Sequence, residues 1–77
     1  MKLSEIMLKY LIIFEKSETG FSAYVPDLPG CIATGRTKAI VERNILDAIH
    51  FHLDGMKEEK IKFPLNRTDA ETFVFAV

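Results

Sequence analysis

The chain has 77 residues, room for one small domain, and a body this size buries only about 60% of the surface its unfolded chain exposes. Apolar residues make up 48% and charged residues 27%, which excludes a disordered chain and leaves apolar surface for a second copy to cover. The net charge of −1, from ten basic and eleven acidic residues, excludes the basic footprint of a nucleic-acid binder.

Cys31 is the single cysteine. A secreted domain of this size leans on several disulfides, so one thiol predicts a cytoplasmic protein. The most apolar window, Tyr10 to Phe14, is far too short to span a bilayer, and no signal-length apolar run precedes Lys9. No membrane partner is expected.

In chain order, Met1 to Met7 reads equally as a turn, as a flexible interface arm, or as a leader ahead of a start at Met7. Leu8 to Glu15 predicts a first strand. Leu8, Tyr10, Ile12 and Phe14 share one face; Leu11 and Ile13 make the middle of the other apolar too, so that face needs a cover. A polar run closing on Gly20 predicts a hairpin loop. Phe21 to Val25 predicts a second strand, with Phe21, Ala23 and Val25 alternating against Ser22 and Tyr24. Pro26 has no N–H to give a ladder and ends it. Asp27 then suits turn hydrogen bonds, Leu28 an apolar plug, and Pro29-Gly30 a tight turn.

Cys31 to Thr34 predicts a short third strand. Thr37 predicts the N-cap of a helix over Lys38 to Glu59, whose apolar stripe is Val41, Ile45, Ala48, Ile49, His52, Leu53 and Met56. Ile61 to Asp69 is a connector, with Phe63 and Leu65 as candidate pins. Thr72 to Val77 predicts a last strand, Phe73, Phe75 and Val77 alternating with Val74 and Ala76. The sum is a single α+β domain over residues 1–77. Its sheet is a single layer, β-β-β-α-β in spatial order 3-2-1-4, with one helix on one face and the last strand parallel to the first through a right-handed crossover.

The search for chemistry finds no catalytic or metal site and no cofactor motif. His50 and His52 stand two apart on a helix and point about 200° from each other, so they cannot share a metal. Cys31 follows Pro-Gly into a strand with no histidine nearby in sequence, the setting of a buried small hydrophobe. The acids are scattered, and Asp27 has a turn to serve. Arg36, Lys38 and Arg43 crowd the helix start, where positive charge opposes the helix dipole; a solvated surface is the default reading, and a partner anion that offsets the charge is the alternative.

The run Tyr10 to Lys16, then Gly20-Phe21-Ser22-Ala23-Tyr24-Val25-Pro26-Asp27-Leu28-Pro29-Gly30-Cys31, then Ala33 to Thr37, Asn44 to Ile49 and Phe51 to Gly55, resembles the HicB antitoxin family. Within it Gly20, Tyr24, Pro26, Cys31 and Thr37 are the structural marks. The resemblance implies a truncated ribonuclease-H-like sheet without catalytic acids. It also implies a non-enzymatic role: binding and occluding a small HicA-type RNA-cleaving toxin. Family members often add a C-terminal DNA-binding segment; the sequence ends at Val77, so no DNA binding is expected of it. Ile40 stands where the family carries an acid three residues after the capping threonine, so the reciprocal capping box is lost. The corner Asp27, Leu28, Pro29 and Gly30 is the candidate toxin contact, beside its plainer role of fixing strands two and three. Self-association into a homodimer or tetramer is expected. An orphan self-assembling module without a toxin is the alternative.

Overall fold

The computed structural model describes residues 7–77, so the reading of the first six residues lies outside it. Three antiparallel strands form a meander: β1 (Ile13–Lys16), β2 (Phe21–Tyr24) and β3 (Ile32–Gly35), in the order β1-β2-β3. The register sets Phe14, Ala23 and Ala33 in one row and Ile13, Tyr24 and Ile32 in the next. Neighbouring rows point to opposite faces, so the first row faces the core and the second faces away. The β1–β2 loop closes where the Ser17 N–H and hydroxyl both donate to the Gly20 carbonyl, at 2.8 and 3.2 Å. A Cβ on Gly20 would stand 2.5 Å from the Gly35 carbonyl oxygen, which is why glycine sits there. The first strand is shorter than the alternation predicted. Beyond Tyr24 the partner chain turns into the corner at Pro26, so residues 8–12 have no ladder to join.

The helix α1 (Lys38–Glu58) begins as expected. Thr37 is extended, its Oγ1 accepts the Ile40 N–H at 3.1 Å, and its carbonyl accepts the Val41 N–H at 3.0 Å. The helix start lies directly on Gly35, where a Cβ would come within 2.7 Å of the Val41 nitrogen. The Asn44 side-chain amide donates to the Thr34 carbonyl at 2.9 Å and pins the second turn to β3. Thus α1 covers β3 and β2 and leaves β1 aside. Val41 and Ile45 are fully buried with Ala23, Val25, Leu28 and Cys31; Tyr10, Ile12, Phe14, Ile49 and Leu53 pack around them. The helix runs through Gly55. It ends where Lys60 adopts a φ of +59°, with the Ile61 N–H on the Met56 carbonyl and the Lys60 N–H on the Lys57 carbonyl. That double bond pattern is the Schellman motif, built here on lysine instead of glycine.

The predicted last strand is a correction. Thr72–Val77 forms no strand, and no described residue pairs with it, so the fourth place of the 3-2-1-4 order is not filled. The Tyr10 hydroxyl donates to the Pro64 carbonyl, and the Leu11 N–H donates to Asn66 Oδ1 at 3.1 Å, so connector residues already hold the chain just ahead of β1. Phe63 is half-buried as a pin should be, whereas Leu65 is exposed. No helix among the described residues is long and apolar enough to cross a membrane.

Candidate functional site

The corner between β2 and β3 is two consecutive turns that share Leu28. The Leu28 N–H donates to the Val25 carbonyl at 3.1 Å, and the Cys31 N–H donates to the Leu28 carbonyl at 3.0 Å. Each turn has proline in its second position, where φ is preset. The second has Gly30 in its third position at φ +84°, the positive value a type II turn requires. The Val25 N–H reaches the Cys31 carbonyl at 3.2 Å and closes the base of the corner. Two prolines and three backbone bonds leave this loop little freedom.

The four corner residues named from the sequence separate into two kinds. Leu28 is fully buried and offers no surface. Asp27 is occupied, though not in the way the sequence suggested. Its carboxylate accepts nothing from its own turn. It accepts the N–H of Arg67 at 2.8 Å, the N–H of Thr68 at 3.0 Å and the Thr68 hydroxyl at 3.1 Å, forty residues downstream. Desolvation alone would raise this carboxyl; the bonds from Arg67 and Thr68 and the nearby Arg67 charge outweigh it and hold the group below the usual carboxylate range. Pro29 and Gly30 remain exposed.

Those two join residues that the sequence search did not single out as contacts. Tyr24, Val25, Pro26, Pro29, Gly30, Cys31 and Ile32 line a shallow, mainly apolar groove of about 370 Å³. Ile32 is 62% exposed, and its cross-strand neighbour Tyr24 is exposed as well. With half-buried Ile13 they form an apolar row on the face turned away from α1. The signal available in the sequence was the second apolar face of the first strand, but the register that aligns it with Tyr24 and Ile32 depends on the corner geometry.

Cys31 lies at the bottom of this region, buried, its thiol pushed up by desolvation and so held protonated. Tyr10 is raised by desolvation and by the Asp27 charge, which keeps its hydroxyl a donor to Pro64. Lys38, the basic residue in the first helical turn, places its ammonium 4.3 Å from the centroid of the Phe14 ring. Among the described residues no group of three or more His, Cys, Asp or Glu side chains is placed to hold a metal. Phe51 on α1 falls outside the apolar stripe and is 82% exposed.

The family described as "HicB_like antitoxin of bacterial toxin-antitoxin system" matches residues 10–74. An "uncharacterized 14.9 kDa protein in rep-hol intergenic region" of Haemophilus phage HP1 is 33% identical over 76 residues, covering 88% of this chain. The chain spans 57% of that phage protein's length. A UPF0150 protein of Thermoplasma acidophilum is 35% identical over 66 residues, covering 84% of this chain and 96% of that protein. Among solved structures, a chain of a "HicA3 and HicB3 toxin-antitoxin complex" matches with a TM-score of 0.64 at 32% identity, over 78% of this chain and 70% of that one.

Proposed function

The chain belongs to the HicB-like antitoxin family, and from that premise we propose that it binds and occludes a small HicA-type RNase toxin without chemistry of its own. The observation that carries this reading is the shared fold, at 32% identity, with a chain from a complex of a toxin and its antitoxin. The chain's own surface supports it. The corner is rigid before any partner arrives, so little entropy is lost on docking. The groove beside it is apolar and carries an exposed tyrosine, the kind of anchor that dominates protein interfaces. Pro29, Gly30, Tyr24 and Ile32 would meet the toxin, while Leu28 and Asp27 hold the corner in shape from behind.

The finer parts of the proposal are these. The sheet is a truncated ribonuclease-H-like one that occludes without cutting. The protein works in the cytoplasm, needs no cofactor, and self-associates as a homodimer or tetramer. The test is co-expression of the full chain with a HicA-type toxin. A stoichiometric complex on pull-down and rescue of toxin-induced growth arrest are expected. Persistent arrest with no complex would overturn the reading. In that case the second reading, an orphan self-assembling module, would rest on the apolar surface left uncovered on the sheet and at the C-terminal segment.

A further inference from the structure

Residues 72–77 have a composition that solvent does not favour. Thr, Phe, Val, Phe, Ala and Val include five strand-favouring residues, and alternation puts Phe73, Phe75 and Val77 on one side. In the structure Phe73 is 68% exposed, Val74 96% and Phe75 79%. The segment that carries them is fixed at its root. Asp27 holds Arg67 and Thr68, and beyond Thr68 no described hydrogen bond ties the chain to the body. The Cα radius of gyration is 15.1 Å, against about 11.5 Å for a compact chain of this length. The molecule extends 54 Å along one axis and only 28 and 24 Å along the others.

The same chain has an unfilled edge. β1 pairs with β2 alone, and α1 does not cover it. Ser17 donates to Gly20, and on the far side of β2 Val25 donates to Cys31, so Ser22 and Tyr24 face β1 and the amides of Ile13 and Glu15 turn toward β2. The amides on the open side of β1 are therefore those of Phe14 and Lys16. An apolar strand former and an open apolar edge therefore coexist in one molecule, each lacking a neighbour. Unpaired edges invite the addition of another strand.

We propose that residues 72–77 are an exchanged strand: they pair with the open edge of β1 in a second copy, while that copy's segment pairs with the first. The exchange gives the self-association proposed above its mechanism and rests on it. A two-fold arrangement satisfies both edges at once and closes, with no open end to propagate. The area is sufficient. Phe73 and Phe75 from both copies bury about 600–1,000 Å² by themselves, and the surfaces they cover bring the total to the size of a standard stable interface.

The test is light scattering and amide hydrogen exchange on the full chain over a range of concentrations. A dimer or larger even-numbered assembly is expected, with the amides of 73–77 and of Phe14 and Lys16 protected together and exposed together on dilution. Phe75→Asp is expected to shift the mass to monomer while the helical signal persists. Three results would overturn the exchange. One is protection of the segment in a monomer, which means it folds back on its own sheet. Another is protection that appears only when a HicA-type toxin is added. The third is an assembly whose mass survives Phe75→Asp with residues 73–77 unprotected; that result removes the exchange and leaves self-association standing.

Discussion

At the residue scale, two side chains fix the corner from inside, by different physics. Leu28 fills the core between β2, β3 and α1, and it is among the largest fully buried side chains. Leu28→Ala removes its methyl groups and leaves a cavity, which costs about 2–5 kcal/mol. Urea denaturation followed by circular dichroism measures this directly. Asp27 acts through charge, and its effect depends on pH. Its folded-state pKa lies below the unfolded value of about 3.9. A depressed carboxyl contributes stability that is present above the unfolded pKa and is lost as pH falls through the folded one. The native chain is therefore expected to lose stability on acidification below about pH 4, and Asp27→Asn to show a shallower loss there and a lower denaturation midpoint at pH 7. Equal acid sensitivity in the two proteins would separate Asp27 from the connector bonds in which the structure places it. Sequence reading identified both residues and mistook one role. A carboxylate after proline satisfies a local turn in most contexts, and nothing in the linear pattern signals a partner forty residues on.

At the scale of elements, the three strands and the helix were legible because each carries its own punctuation. Gly20 closes the first loop, Pro26 stops β2, Gly30 supplies the positive φ, and Thr37 starts α1. The helix ends within one residue of the expected Glu59, but how it is closed carried no signal. α1 passes through Gly55 to Glu58, and the turn beyond it closes on Lys60, a residue with no preference for the left-handed region. The Schellman bonds from Lys60 and Ile61 make up for that strain. The left-handed conformation costs a non-glycine residue roughly 1–2 kcal/mol, part of which glycine loses again through its freer unfolded chain. Lys60→Gly is thus expected to stabilise the protein by about 0.5–1 kcal/mol. The thermal midpoint of the variant measures it, and a fall would mean that the Lys60 side chain makes a stabilising contact of its own. The last strand was misplaced for a related reason. Alternation marks a segment that suits a strand, but not whether an edge takes it up, and residues 72–77 pair with none of the described strands.

At the scale of the whole molecule, the 48% apolar content in 77 residues already implied surface for a partner. The structure divides that surface in two. One part is the C-terminal segment with the outer edge of β1, which the exchange proposed above would join between two copies. The other is the row Ile13, Tyr24 and Ile32 with the groove beside Pro29, on the face away from α1. This second part is the surface proposed above to meet the toxin. If the two surfaces serve different partners, a change in one leaves the other intact. Tyr24 is the side chain that tests this, because it is exposed and lies outside the buried cluster. Tyr24→Ala should leave the fold and the assembly mass unchanged. It should weaken binding to a HicA-type toxin by tenfold or more, the effect of losing an aromatic anchor worth about 2 kcal/mol. Calorimetric titration with the toxin and light scattering of the free variant give the two readings. A fall in mass with toxin affinity unchanged would exchange the assignments, making the back of the sheet the self-interface and leaving the C-terminal segment for the toxin.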